Sequence, residues 1–513
     1  MRQTRRSTMT AFTIPFGRIV AASLLAVPLP AAAQNVLRVP FSIDIGSFDP
    51  DNAFETQALS AINNVYEGLV EYIPGSTDIG PALAESWTIS DDGLTYIFDL
   101  VDGATFHDGT PVDSAAVLAS MERRGSETMM LNYFLWNVTG IEAPDGDTVV
   151  FTLGMPQPSF LDYLSSPWGP KVISPAAIEG NPPEWFAENA VGSGPFRLTE
   201  FNRGQQYVLE KFEDYHGEEP YFDVVEIPVI PDIGQQILQL RAGDIDAVPT
   251  NYPWAQLAAL PPGLELTAAP SMALLFGYVK PGSPLAEDAD LRAAVMTALD
   301  PDIWVEDIYG PYATPALSLF PATMLTPETP VDFPSDMASA AAAVTAAGGL
   351  SLTIGYGSEG ADDVDQAADI MAAQLAAIGV DAEVVVLPAG AVYGLQEAMD
   401  TAPDIVLTRS VPDAAHPETQ AGVFYTTGAI LNLMGASLPE ADEIANGAFG
   451  ITDIAARDAA YAEASDLWIE AGLFLPFADV QDVVVHAEGL TDLGLRPVFL
   501  PGNIDFGTVR FEE

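Results

Sequence analysis

The chain has 513 residues, of which 49% are hydrophobic, so it is long enough to form several domains with large cores. It contains no cysteine, which excludes disulfides, thiolate metal sites, cysteine nucleophiles and a lipid anchor on cysteine. Its 72 acidic residues face only 18 lysines and arginines, a formal net charge of −54. This charge excludes nucleic acid and anionic membrane surfaces as partners, and it is more typical of a whole surface adapted to salt than of a ligand-binding device.

The first 33 residues have the pattern of a secretory signal sequence. Arg2, Arg5 and Arg6 form a basic start, residues 19–29 form an apolar core, and the three alanines at 31–33 are typical of a cleavage site. The apolar core is too short to span a membrane. We therefore expect an exported protein whose signal is removed near Ala33.

Two export routes remain open. The pair Arg5-Arg6 fits twin-arginine export, but Thr8 stands where that motif has a large apolar residue, so the ordinary Sec route is favoured. Cleavage removes four arginines and no acidic residue. The mature chain then has 14 basic residues against 72 acidic ones, a net charge of −58.

Residues 81–120 predict a β-meander that leads into a helix. Asp91-Asp92-Gly93 is a turn sequence, and residues 94–100 alternate in the period of two that is typical of a half-buried strand. Residues 108–111 form another turn, and Asp113 is placed to cap the helix that follows.

The later segments predict two kinds of sheet. Strands at 196–201, 206–212 and 224–230 are separated by turn residues, which favours antiparallel pairing. Between residues 335 and 408, helices and strands alternate instead, and one of these helices is expected at 389–399. That order is typical of βαβ units with a parallel sheet. Further on, two short strands are expected at 473–477 and 483–485.

Motifs for catalysis, cofactors or metals are weak. Gly355, Gly357 and Gly360 form a G-x-G-x-x-G after a predicted strand, but the next strand ends at Pro388 without the acidic residue that a dinucleotide site needs, so a plain βα turn is favoured. Neither G-x-S-x-G nor H-E-x-x-H occurs. The histidines have no metal-ligand spacing: they are His107, His216, His416 and His486. We predict no enzyme, no cofactor and no metal site, and a secreted hydrolase is retained only as a minor alternative.

Three stretches resemble one family. PALAESWTISDDGLTYIFDLVDGATFHDGTP, at 81–111, closely resembles a segment of the periplasmic solute-binding proteins that serve peptide, nickel and opine ABC importers. Residues 191–248 resemble the same family and end in AGDIDAV, where its members carry a run such as LQAGEIDIV. The helices at 285–309 are similar as well, and within them Asp300 is placed to cap a helix that begins at Pro301.

The resemblance implies an α/β fold of two lobes, a type II-like periplasmic binding protein with mixed sheets flanked by helices and a hinge. Lobe one is expected at 34–270 plus 488–513, with a subdomain at 70–175, and lobe two at 271–487. The implied function is capture of a small solute in the periplasm by a monomer, which delivers it to an inner-membrane ABC permease with a cytoplasmic ATPase. A peptide or amino-acid conjugate is the favoured solute, and a nickel chelate, opine, haem or oligosaccharide remains open.

The loop TRSVPDAAHPET, at 408–419, is the best candidate for a ligand site. In peptide-binding relatives a similar loop reads W.GD..DP, and the acidic residue four positions before the proline holds the ligand's ammonium group. This position is Asp413, although a structural role as a loop cap is about as common for such a residue. His416, a further ligand-binding candidate, replaces the second aspartate of that pattern, and Ser410 stands where the tryptophan often occurs. Arg409 would suit a ligand carboxylate.

Aromatic residues are expected to form apolar walls of the cleft. Phe48 follows a turn that relatives place near the ligand, and Tyr252 and Trp254 follow the AGDIDAV segment. Trp136, in the aromatic run NYFLWNV, is a further ligand-binding candidate, although packing in a core is the more common role for such a tryptophan.

Overall fold

The computed structural model describes residues 34–325, 331, 336–358, 362–497 and 502–512. The predicted signal sequence at 1–33 and Gly360 of the glycine motif lie outside these residues. Within the described part of the chain, no helix is both long and apolar enough to cross a bilayer.

A four-stranded sheet forms the centre of lobe one. In spatial order, its strands are Val36–Arg38, Val224–Pro228, Gln206–Lys211 and Phe196–Asn202. The N-terminal strand pairs in parallel with its neighbour, and the other strands pair antiparallel as predicted. Buried side chains of this sheet share one core with the helix Ala58–Val65, and they include Leu37, Tyr207, Leu209, Val225 and Ile227. The helix ends at Val65, and Tyr66 follows it in an extended conformation.

Residues 81–120 supply two paired strands, rather than a longer meander, to a second four-stranded, antiparallel sheet. Its strands, in order, are Ala84–Ile89, Thr95–Leu100, Thr148–Leu153 and Val138–Glu142. Tyr96, Phe98 and Leu100 are buried, whereas the side chains between them are exposed. Asp113 caps the helix Ser114–Arg124 by accepting a hydrogen bond from the backbone N–H of Ala116 at 2.9 Å.

A seven-stranded mixed sheet contains the strands expected in lobe two and extends into the part of the chain expected in lobe one. Its main path runs Ala247–Val248, Phe474–Ala487, Leu264–Val279, Ile405–Ser410, Leu350–Gly357 and Val380–Leu387, and Ala313–Pro315 joins at the side of Phe474–Ala487. Leu350–Gly357 pairs in parallel with both of its neighbours, as the alternation of helices and strands predicts. Helices Met337–Ala346 and Asp362–Ala376 connect these strands.

Two local predictions differ from the structure. The segment after residue 473 was expected to form two short strands, but Phe474–Ala487 is one strand of 14 residues. The apolar pattern of this strand is interrupted by Asp479 and Asp482. Asp482 is buried, and hydrogen bonds from the backbone N–H of Gly502 to its carboxylate make this burial less unfavourable. The helix expected at 389–399 is a 3₁₀ segment, Ala391–Thr401, with a non-helical residue at Ala398.

Gly355 and Gly357 belong to the strand Leu350–Gly357 rather than to a phosphate-binding loop. Gly355 lies directly against the ring of Pro403, and a Cβ atom at this position would collide with that ring. Close packing therefore explains the glycine at 355.

The remaining helices and strands surround these sheets. The α-helices are Phe160–Ser165, Pro175–Gly180, Ile233–Ala242, Trp254–Leu257, Pro284–Glu287, Ala289–Ala298, Pro301–Trp304, Pro417–Gln420, Pro439–Ala448 and Ile454–Glu470. Short 3₁₀ or π turns lie at Asn132–Leu135, Pro183–Ala187, Val305–Tyr309, Gly310–Tyr312 and Ala421–Tyr425. Two hairpin-like pairs complete the described chain: Val70–Tyr72 with Ile79–Pro81, and Leu490–Thr491 with Arg510–Phe511. Asp300 caps the helix Pro301–Trp304, as predicted.

Candidate functional site

The loop that contains Asp413 follows the strand Ile405–Ser410 and leads into the short helix Pro417–Gln420. His416 caps this helix, because its Nδ1 accepts a hydrogen bond from the backbone N–H of Glu418 at 3.2 Å. Burial lowers the pKa of His416 to about 3, so the ring is neutral at physiological pH and its nitrogen can accept. His416 thus positions the loop from within lobe two.

Asp413 lies against the subdomain. Its carboxylate Oδ2 accepts a hydrogen bond from the hydroxyl of Tyr133 at 2.8 Å, and its backbone oxygen accepts one from Ser166 Oγ at 2.6 Å. Loss of solvent raises the pKa of the Asp413 carboxyl, while the Tyr133 hydrogen bond acts in the opposite direction. Among the described residues, none forms an ion pair with Asp413. The carboxylate is therefore partly buried, and the described part of the chain supplies no cation to compensate its charge.

Glu418 makes a similar contact one helical turn further on. Its carboxylate accepts hydrogen bonds from Ser159 Oγ and, at 3.2 Å, from the hydroxyl of Tyr163, both in the subdomain. Burial raises its pKa to about 7. Burial raises the pKa of Tyr163, and the charges of Glu418 and Asp413 raise it further, so both carboxylates lie near this tyrosine.

The backbone of the loop is fixed to the subdomain through Tyr72. Its hydroxyl accepts a hydrogen bond from the N–H of Ala415 at 2.9 Å and donates one to Asp162 Oδ1 at 3.0 Å. Burial raises the pKa of Asp162 to about 6. The contact between the subdomain and residues 413–418 is thus made of hydroxyl groups and acidic side chains.

Arg409 lies in a different cluster. Its guanidinium forms an ion pair with Asp363, whose carboxylate also accepts a hydrogen bond from the hydroxyl of Tyr309 at 2.6 Å. Trp254 packs edge-on against Tyr309, with ring centroids 5.0 Å apart. Arg409 and Trp254 are therefore brought close to each other, but the carboxylate beside Arg409 comes from the chain itself.

Phe48 and Tyr252 are packed inside lobe one. Phe48 has no exposed surface and meets Phe201 edge-on, with centroids 6.4 Å apart. Tyr252 packs in a small core with Ile237, Leu257 and Val485. In this conformation neither side chain offers a surface that a solute could contact.

Trp136 is placed quite differently, because half of its surface is exposed. Its ring lies 5.9 Å from that of Phe449, which belongs to lobe two. The two rings border a cavity of about 250 Å³, together with Met155, Glu418 and Tyr461. Phe449 and Tyr461 were not predicted as site residues. Phe449 directly follows the helix Pro439–Ala448 and Tyr461 lies within the helix Ile454–Glu470, where aromatic residues usually pack in a core.

Comparisons with known proteins agree on one family. Residues 78–432 match the family "Bacterial extracellular solute-binding proteins, family 5 Middle". The probable D,D-dipeptide-binding periplasmic protein DdpA of Escherichia coli K12 is 33% identical over 302 residues, which are 56% of this chain and 58% of that protein. The glutathione-binding protein GsiB of E. coli O6:K15:H31 is 27% identical over 495 residues, 91% of this chain and 93% of that protein.

Solved structures show the same fold. The periplasmic binding protein DppA of Helicobacter pylori, in complex with the peptide STSA, superimposes with a TM-score of 0.75 and 26% identity, covering 94% of this chain and 99% of that one. The predicted two-lobed α/β fold with mixed sheets and flanking helices is thereby confirmed. The chain belongs to the bacterial extracellular solute-binding proteins, family 5, and is a substrate-binding component of an ABC importer.

Proposed function

We propose that the chain captures a short peptide or amino-acid conjugate in the periplasm, binds its free amine at Asp413, and delivers it as a monomer to an inner-membrane ABC permease driven by a cytoplasmic ATPase. The observation that carries this proposal is the state of Asp413. Its carboxylate is shielded from solvent by the subdomain, yet among the described residues it has a hydroxyl partner and no ion-pair partner.

The physical argument is one of charge compensation. Removing a carboxylate from water is unfavourable unless another group compensates its charge. A primary ammonium group supplies both the charge and up to three hydrogen-bond donors. The negative charge of the whole chain also attracts a cationic group toward the cleft.

The relatives support the class of solute. The proteins compared above are named for a D,D-dipeptide and for glutathione, and the solved relative holds a peptide. These ligands have in common a peptide-type backbone with an amino group, which fits a site that offers a carboxylate.

We further propose the lobe boundaries at about 270 and 487, with a hinge in the paired strands Leu264–Val279 and Phe474–Ala487. The pairing register of these strands shifts between Ala269 and Ala273, opposite residues 480–482. Ala269 packs in the core of lobe one, whereas Ala273 packs in that of lobe two. A bulge at this point can absorb a change in angle between the lobes as the solute is enclosed.

The test begins with native mass spectrometry of the purified protein, which identifies any solute retained in the cleft. Titration calorimetry then compares the retained solute, or the peptide Ser-Thr-Ser-Ala if none is found, with its N-acetylated form. We expect Asp413→Asn to weaken binding of the free-amine ligand by more than about 100-fold, because it removes one member of a buried pair worth about 3–5 kcal/mol.

The matched control is Asp381→Asn, which changes an exposed aspartate of lobe two and should leave the affinity unchanged. Circular dichroism establishes that both variants are folded. A loss below tenfold in folded Asp413→Asn, or a retained solute without an amino group, would contradict the proposal.

A further inference from the structure

The cavity of about 250 Å³ beside Glu418 has an unusual lining. Trp136 and Met155 line it from the subdomain, and Phe449 and Tyr461 line it from lobe two. It therefore combines one partly buried carboxylate with three aromatic rings and a thioether.

The carboxylate in this cavity has no cationic partner among the described residues. The titratable or charged groups around Glu418 are Asp162, Tyr163, His416, Arg457 and Tyr461. His416 is 4.0 Å away but neutral at physiological pH, and Arg457 is paired with Asp458 at 2.8 Å. Glu418 accepts hydrogen bonds from two hydroxyl groups. Because these groups are neutral, the negative charge of Glu418 is not compensated.

The rings supply the second half of the argument. Trp136 is 51% exposed although it is a large apolar side chain, and Phe449 lies 5.9 Å from it across the cavity wall. Aromatic faces attract cations within about 6 Å, and a substituted ammonium group loses less hydration than a small ion when it enters such a site. A carboxylate bordered by aromatic rings is the chemistry that selects an organic cation over a neutral group.

We propose that this cavity binds a substituted ammonium group, such as an alkylammonium or quaternary ammonium. The inference rests on the proposed function in one respect: the group belongs to the same solute whose amine is bound at Asp413. A row of three rings separates the two carboxylates: Tyr133 donates to Asp413, Tyr163 donates to Glu418, and Phe134 lies between them. The neighbouring ring centroids are 4.7 and 5.4 Å apart. A solute with two cationic groups, such as a basic peptide or conjugate, would compensate both carboxylates.

The test uses choline and its uncharged analogue 3,3-dimethylbutan-1-ol, which have similar shapes and differ in charge. Titration calorimetry at pH 8 and constant ionic strength measures both, and tryptophan fluorescence follows Trp136. We expect choline to bind wild-type protein at least tenfold more tightly than the alcohol. Glu418→Gln should remove most of this preference, and Phe449→Leu, which leaves the carboxylate in place, should weaken choline binding several-fold.

Glu184→Gln is the matched control, because Glu184 is an exposed glutamate of lobe one. Trp136→Phe should abolish the fluorescence change while choline still binds. Equal binding of choline and the alcohol, an absence of choline binding, or an undiminished preference in folded Glu418→Gln would overturn the inference.

The two proposals fail separately. If Asp413→Asn weakens binding of the free-amine ligand but choline does not bind, only the cation cavity is wrong. If choline binds through Glu418 but the peptide titrations are insensitive to Asp413, only the assignment of the amine is wrong.

Discussion

Lobe two contains two groups of acidic residues that are shielded from solvent near the ends of helices and strands. The negative charge of these groups is compensated in different ways. Asp363 is fully buried, and Arg409 and Tyr309 together satisfy its charge. Asp413 and Glu418 are shielded by the subdomain and receive hydrogen bonds from hydroxyl groups alone. The ion pair of Asp363 with an arginine of its own chain supports the fold, whereas we propose that Asp413 and Glu418, which lack such a pair, are compensated by a ligand.

The largest effect on stability is expected from breaking the ion pair between Arg409 and Asp363. Arg409→Met leaves the Asp363 carboxylate buried without its cation, so the free energy of unfolding should fall by about 3–5 kcal/mol. Denaturant titration of the unliganded protein measures this change. The double variant Arg409→Met/Asp363→Asn should recover most of the loss, and a single variant as stable as wild type would show that the pair is not structural.

The uncompensated Glu418 should behave in the opposite way. Burial raises its pKa from 4.5 to about 7, so the folded state holds the proton more tightly than the unfolded state does. Its contribution to stability is therefore present below about pH 4.5 and is lost as the pH rises through 7. We expect Glu418→Gln to be more stable than wild type at pH 8, by up to about 3 kcal/mol, and similar to it at pH 4.5.

Thermal unfolding of wild type and Glu418→Gln across this pH range tests the sign. Asp479 and Asp482, whose pKa values burial raises to about 7, titrate in both proteins and cancel in the comparison. A variant that is less stable than wild type at pH 8 would mean that Glu418 is compensated after all.

A smaller effect is expected at Tyr133, the hydroxyl donor to Asp413. Tyr133→Phe removes this hydrogen bond to a buried carboxylate, so the unliganded protein should lose about 1–3 kcal/mol of stability. An amine ligand should bind the variant at least as tightly as wild type, because it no longer competes with the hydroxyl. Denaturant titration and calorimetry separate the two quantities, and a large loss of affinity would instead make Tyr133 a direct ligand contact.

Salt should have the smallest effect and should act on the surface rather than on either buried group. The net charge of −58 expected for the mature chain is screened as the ionic strength rises from low to moderate, so the melting temperature should increase. The difference between wild type and Arg409→Met should change little, because a buried pair is screened less than exposed charges. A flat or falling melting temperature with sodium chloride would contradict this.

Sequence reasoning succeeded where the determining interaction is local. Asp113 and Asp300 cap helices a few residues away, and the alternation before Leu100 follows from a strand with one buried face. The parallel order in lobe two follows from the length of its crossovers. The resemblance to relatives made the loop of Asp413 the candidate ligand site, and this remains a prediction, because spacing alone does not separate a ligand site from a loop cap.

The remaining features of the fold and the site depend on side-chain contacts between residues that are far apart in the sequence. Tyr133 and Asp413 are 280 residues apart, and Asp363 is one acidic residue among 72 that could have paired with Arg409. Phe48 was expected in the cleft because relatives place its turn there, yet its side chain points into the lobe-one core. Sequence patterns identify apolar and acidic residues, but they do not determine which of them meet across two lobes.

The most direct measurement for this account is a crystal structure of the protein with its retained or added amine-bearing solute. We expect the ammonium nitrogen within hydrogen-bond distance of the Asp413 carboxylate, with Arg409 still paired to Asp363. A solute bound elsewhere, with Asp413 still accepting only the Tyr133 hydroxyl, would contradict the claim that the uncompensated carboxylate marks the binding site.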